Sequence, residues 1–319
     1  MKQIKIIKNR SDIGAGTRGS DMGIDAIEIA AINSGNNYFN NFPYSDVESH
    51  NESIYKKEKA LFAKRIEFVR EQCQRVSDAV QNSLKEDNFT IVISGDHSSA
   101  LGTLSGVKAN YPKKRMGVVW IDAHADIHSP FTTPSGNIHG MPLAAALGKD
   151  NLDNQVNEVT DHTQSIWKQL KNIGVEGPKL AAEDLVYFGV RDTESTEEKL
   201  MNKHKIRNYK VEEIRYRGLQ KCLDEVKAQL AHCEVIYISF DVDSLDCDLI
   251  SKGTGTPVSK GFDPNEVKAI IKGLFDTKKV VSLEVTEINP LLDTKGNKMA
   301  ETAFEVLDSV TSYYLELEK

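Results

Sequence analysis

Met116-Gly-Val-Val-Trp-Ile121 runs directly into Asp122-Ala-His124-Ala-Asp126-Ile-His128. The first six residues are apolar and rich in β-branched side chains, the composition of a buried strand. Alternation along an extended chain sends Asp122, His124 and Asp126 off the strand's end on one side, two residues apart. Carboxylate oxygens and imidazole nitrogens offered together suit a divalent first-row metal such as manganese. A solvated acidic strand end whose histidines only form hydrogen bonds would have the same spacing, so the rest of the chain has to decide.

Similar apolar runs recur, and most end in chemistry. Thr90-Ile-Val-Ile-Ser94 leads to His97, residues 185–190 to Asp192 and Glu194, residues 235–240 to Asp241-Val-Asp243, and Val280-Val-Ser-Leu283 to Glu287. An alternating run at residues 3–7 predicts a first strand. Between the strands, helices are expected over 24–32, 55–84, 100–109, 219–230, 265–275 and 299–317, with another starting at Pro142. The one over 55–84 spaces Phe62, Ile66, Val69, Cys73, Val76, Val80 and Leu84 by threes and fours, an amphipathic stripe. Residues 149–184 are polar, with a helical patch at 166–170. Strands alternating with helices imply a mostly parallel central sheet covered on both faces, a three-layer α/β/α sandwich forming one domain over residues 1–319. Ligands in such sheets collect outside the carboxyl ends of the strands, which draws His97, Asp122, Asp192, Asp241 and Glu287 to one place.

Composition removes other functions. The 319 residues are 39% hydrophobic and 27% charged, with a net charge of −7, which argues against an electrostatic grip on nucleic acid. The N-terminal stretch lacks the apolar core of a signal peptide and no run approaches 18 apolar residues, so neither membrane nor export is expected and the cytoplasm is. Cys73, Cys222, Cys233 and Cys247 are scattered without a Cys-x-x-Cys, indicating neither a zinc knuckle nor a disulfide scaffold. Gly14-Ala-Gly16-Thr-Arg-Gly19 has the letters of a dinucleotide fingerprint but sits away from the strand, with no acidic residue about 20 positions on. A loop on the rim of the site is the better reading. His50, His162, His204 and His232 read as surface residues.

With His97, Asp122, His124, Asp126, Asp241 and Asp243 gathered, four carboxylates share one cleft and repel one another unless cations neutralise them. Two divalent ions ~3.5–4 Å apart, bridged by carboxylates, would do so and make a shared water acidic enough to attack at neutral pH.

Ser94-Gly-Asp-His97-Ser, Asp122-Ala-His-Ala-Asp126, Ser239-Phe-Asp-Val-Asp243 and Glu287-Ile-Asn-Pro290 resemble, in order, the signature blocks of the ureohydrolase superfamily. Thr132-Thr-Pro-Ser135-Gly-Asn137-Ile-His139-Gly together with Gly255-Thr256-Pro most resembles its arginase branch. The resemblance implies an arginase/deacetylase-like fold and hydrolysis of the guanidinium of L-arginine to L-ornithine and urea by a hydroxide bridging two manganese ions. His97, Asp122, Asp126 and Asp241 would hold one ion, and His124, Asp122, Asp241 and Asp243 the other. Asp126 would also orient the nucleophile, Glu287 would pair with the guanidinium, and His139 would shuttle protons. His128, Thr133, Ser135, Asn137, Asp192, Glu194 and Thr256 would meet the amino-acid end of the substrate. A trimer or hexamer is implied as well. Agmatine, a guanidino acid or formimidoylglutamate are alternative substrates for the same metal centre, and a non-catalytic binding relative is the alternative of a different class.

The chain departs from the arginase pattern at four points. His128 stands where Asn is usual, and Glu194 is a methylene longer than the usual Asp. Cys247 replaces a Pro, and residues 248–253 form a loop one residue longer. These departures touch recognition of the amino-acid end and leave the metal set intact.

Overall fold

The computed structural model describes residues 2–319. Eight strands make one sheet: β1 (Ile4–Asn9), β2 (Tyr44–Val47), β3 (Phe89–Ser94), β4 (Met116–Ile121), β5 (Leu185–Phe188), β6 (Arg207–Tyr209), β7 (Val235–Asp241) and β8 (Val280–Thr286). Their order is β2-β1-β3-β8-β7-β4-β5-β6, and every pairing is parallel. The sheet is therefore wholly parallel, where a mostly parallel one was expected.

Period-two alternation divides the strand residues between two cores. Val119 and Ile121 of β4 pack with the helices α1 (Gly23–Asn33), α2 (Tyr38–Asn41), α8 (Val211–Arg217), α9 (Leu219–Gln229), α10 (Pro264–Phe275) and α11 (Lys298–Leu317) on one face. Val118 and Trp120 pack with α3 (Ile66–Lys85), α4 (Ala100–Asn110), α5 (Pro142–Leu147), α6 (Asp161–Lys171) and α7 (Ser195–His204) on the other. That is the three-layer sandwich. β7 and β8 are inserted between β3 and β4, so the chain builds outward in opposite directions from the middle of the sheet. A crevice opens at such a reversal, beyond the strands' carboxyl ends. The four strands that flank it deliver Asp241 (β7), Asp122 (β4), His97 (β3) and Glu287 (β8).

One helix is shorter than its apolar stripe suggests. The helix expected over 55–84 begins only at Ile66. The Glu58 carboxylate accepts the backbone N–H groups of Lys59, Ala60 and Arg65 at 2.8, 2.8 and 2.9 Å, and amides held by a side chain are lost to a helical ladder. Arg65 then takes a left-handed φ of 57°, and its guanidinium donates to the carbonyls of Ile13 and Ala15. Residues 56–65 are thus a strap across the loop between β1 and α1. Phe62 belongs to that strap and not to the helical stripe.

Candidate active site

The site begins with two supports inside the sheet. Trp120 lies on β4 and Asp122 directly follows the strand, two residues on, so both point to one face. The Trp120 ring stacks on the His97 imidazole with centroids 4.1 Å apart, and its Nε1 donates to Asp122 Oδ2 at 2.8 Å. On β7, Ser239 and Asp241 repeat the arrangement: Ser239 Oγ lies 2.7 Å from His97 Nε2. Asp96, fully buried, fixes the turn that carries His97 by accepting from the N–H groups of Ser98 and Gly14.

With Nε2 engaged by Ser239, Nδ1 is the atom His97 turns to the crevice. It lies 2.9, 3.0 and 3.1 Å from carboxylate oxygens of Asp126, Asp122 and Asp241. It is buried and hydrogen-bonds to none of them. A nitrogen facing three carboxylate oxygens without a proton in line is the arrangement of ligands around a cation. A second imidazole repeats it: His124 Nδ1 lies 2.9 Å from Asp243 Oδ2 and 3.6 Å from Asp122 Oδ1. His97-Asp122-Asp126 and Asp122-His124-Asp243 each bring their donor atoms close enough to share an ion. Asp122 belongs to both, one oxygen toward each.

The electrostatics fit that reading. Burial pushes Asp126 up to about 6, helped by the charge of Asp122. Burial also raises Asp241, with Asp243 and Asp122 adding to it, and raises Asp243, with Asp122 adding. Asp122 goes the other way: burial would raise it, but His124 and His97 hold it well below the usual carboxylate range. Both imidazoles rise despite burial, because carboxylates surround them. The cluster is anionic, buried and self-repelling, and a divalent cation is the partner that relieves it.

Glu287 follows β8 with a left-handed φ of 66°. Its Oε1 accepts the His97 N–H at 2.9 Å and lies 3.1 Å from His139 Nδ1. Although burial opposes both shifts, the pair lifts His139 to about 9 and lowers Glu287. The His139 N–H is anchored on the Gly14 carbonyl, so the glycine-rich loop forms a wall of the site.

A cavity of about 290 Å³ opens above this floor. It brings together every residue singled out from the sequence except Asp122, which is wholly buried beneath it. Thr133, Ser135, Asn137 and His139 lie on one stretch of its lining, and His128, Asp192 and Glu194 on others. Thr133 Oγ1 accepts the N–H groups of Ser135 and Gly136, so it shapes the turn, and Thr256 Oγ1 donates to Asp243 Oδ2 at 3.0 Å. His128 is committed on both ring nitrogens, to Thr132 Oγ1 at 3.2 Å and Glu194 Oε2 at 2.9 Å. Both of its ring nitrogens thus already have partners within the protein. His128 holds Glu194 to about 2, against burial.

Sequence reasoning missed Glu197, which lines the cavity. It is buried and raised well above the usual carboxylate range by burial and by Glu194. Glu194-Ser-Thr-Glu197 forms a reciprocal cap at the start of α7, and that Glu-x-x-Glu spacing was the available signal. Trp120 and Ser239 were missed too, although each stands two residues before a carboxylate on the same strand face. His50, His162, His204 and His232 lie outside the cavity.

Comparison with known proteins agrees with this geometry. The arginase of Bacillus subtilis (strain 168) is 32% identical over 314 residues, spanning 97% of both chains. The native structure of arginase from Bacillus caldovelox superposes with a TM-score of 0.83 at 32% identity, over 97% of this chain and 98% of that one. Formimidoylglutamase from Bacillus subtilis, at 18% identity and a TM-score of 0.73 over 98% of this chain and 87% of that one, shares the fold alone. The family model described as Arginase family matches residues 2–312, and with sequence, topology and strand-end chemistry in agreement the chain belongs to the arginase family.

Proposed function

We propose that this protein hydrolyses L-arginine to L-ornithine and urea, with His97, Asp122, Asp126 and Asp241 holding one manganese ion and His124, Asp122, Asp241 and Asp243 a second. The observation that carries the reading is the pair of imidazole nitrogens that face carboxylate oxygens, with Asp122 common to both. An oxygen-rich donor set with one imidazole per ion suits manganese better than zinc, which favours three nitrogen or sulfur ligands. When bound, the metal pair supplies the Lewis acidity that makes water a competent nucleophile near neutral pH.

The protein's own groups do the rest. A guanidinium carbon is a poor electrophile, so it has to be held and polarised. Glu287 spends Oε1 on His97 and His139, leaving Oε2 to accept from the guanidinium over the metal floor. His139 bonds Glu287 through Nδ1, so Nε2 is the atom that carries a proton to the departing amine as the carbon–nitrogen bond breaks. Ser135 and Asn137 receive the substrate's carboxylate, while Asp192 and Glu194 receive its ammonium. His128 acts by holding Glu194 in place.

Agmatine is the second reading. Among the described residues no lysine or arginine lines the cavity, whereas Asp192, Glu194 and Glu197 do, a wall suited to a cationic end. Urea release measured with arginine and with agmatine, with and without added manganese, tests both. Faster turnover of arginine supports the first reading, and preference for agmatine would overturn it. No helix among the described residues is long and apolar enough to cross a membrane, and all four cysteines are free, as suits a reducing compartment. We read the protein as a cytoplasmic homo-oligomer, a trimer or hexamer, which sedimentation would test.

A further inference from the structure

The two ends of a bound amino acid carry opposite charge, yet the cavity lining offers carboxylates for one end and no lysine or arginine for the other. A lysine stands just behind the wall. Lys64, in the strap before α3, places Nζ 3.2 Å from Asn137 Oδ1. Its backbone N–H donates to the Gly136 carbonyl at 2.8 Å. The strap sits so close that a Cβ on Gly136 would lie 1.9 Å from the Leu61 carbonyl oxygen, and Gly136 has a left-handed φ of 75°. Strap and turn are therefore one packed unit.

An ammonium has only protons to give, so it captures the oxygen of the Asn137 amide and turns the NH2 group away. Nδ2 then donates to nothing within the described residues, and it borders Gly16, where a Cβ would stand 2.5 Å from it. Ser135 is prepared in a similar way: Oγ accepts the Asn137 N–H at 3.2 Å, which leaves its proton for a ligand. The Asn137 NH2 and the Ser135 hydroxyl proton are thus both left to donate at this turn, a pairing that favours an anion. Without Lys64 the amide is free to flip, and its oxygen would then repel a carboxylate.

We propose that Lys64 is a positioning residue for the substrate's carboxylate: it fixes the Asn137 amide with NH2 toward the cavity and sets a positive charge behind it. Lys64 thereby makes the site prefer an amino acid over the corresponding amine. The inference deepens the reading of this site as an arginine hydrolase and rests on it.

Steady-state urea release by the manganese-loaded wild type, Lys64→Met and Lys64→Arg, with arginine and agmatine as substrates, tests it. In Lys64→Met the ratio of kcat/KM for arginine to that for agmatine should fall about tenfold, the worth of one weakened charge-assisted hydrogen bond. The fall should come from KM for arginine, with bound manganese unchanged, and Lys64→Arg should restore most of it. An unchanged ratio, or an equal loss on both substrates, would overturn the role of Lys64 while leaving the proposed reaction standing. A wild type that binds manganese but releases no urea from arginine would overturn both.

Discussion

Because Asp122 turns one oxygen to each imidazole, Asp122→Asn and Asp243→Asn should differ in a way that thermal unfolding can read. Asp122 Oδ2 lies 3.0 Å from His97 Nδ1 and Oδ1 lies 3.6 Å from His124 Nδ1, whereas Asp243 faces only His124. Manganese at ~1,000 times its dissociation constant stabilises the folded state by ~4.1 kcal/mol per site. Two filled sites give about 8 kcal/mol, and at ~2 °C per kcal/mol for a chain of this size Tm rises by about 16 °C. Loss of a direct ligand should cost at least the ~100-fold in affinity seen for outer partners of metal ligands. That leaves a site filled only to ~10 times its dissociation constant, worth ~1.4 kcal/mol. Asp243→Asn then keeps one intact site and a shift of about 11 °C, while Asp122→Asn weakens both and keeps about 6 °C. The assay is calorimetry of each variant with EDTA and with manganese, scored as the shift for that variant. Equal shifts for the two variants would refute the sharing of Asp122, and a wild type that does not respond to manganese would refute the metal centre itself.

Three further outcomes follow from the same geometry. Trp120→Phe keeps the ring against His97 but deletes the donor to Asp122, so manganese affinity should fall ~10–100-fold with little loss of fold; calorimetric titration checks this, and unchanged affinity would contradict it. His139→Asn should lower kcat at least ~100-fold with both metals still bound, and loss of metal would show that His139 is a ligand instead. In metal-free protein, burial and the Asp122 charge raise Asp126 to about 6, so between the ordinary carboxylate value and about 6 the native state binds more protons than the unfolded one. That contribution is present at low pH and lost as pH rises through about 6. Unfolding in EDTA from pH 4.5 to 7 should therefore show a smaller fall of Tm for Asp126→Asn than for the wild type, and parallel curves would count against it.

The central strands were legible because strands buried on both faces read as near-continuous apolar runs, as in Met116–Ile121. The edge strands were not: Tyr44–Val47 and Arg207–Tyr209 are three or four residues long and half polar, which carries no periodic signal. The helix at Ser195–His204 also escaped, since its charged residues leave only a thin apolar stripe. Strand-end chemistry was legible through spacing, because an i, i+2 pair at the end of a strand shares a face whatever surrounds it. What could not be read was long-range commitment. Ser239 stands 142 positions from the His97 ring it meets, Glu194 66 positions from His128, and Lys64 73 positions from Asn137. His128 shows the same limit, since the Glu194 that meets its Nε2 is remote in sequence.

The most direct test is anomalous diffraction from crystals grown with manganese. Two peaks are expected in the crevice between β3, β8, β7 and β4, one beside His97 Nδ1 and one beside His124 Nδ1, with Asp122 touching both. A single peak, or none within bonding distance of those two nitrogens, would contradict the paired metal centre.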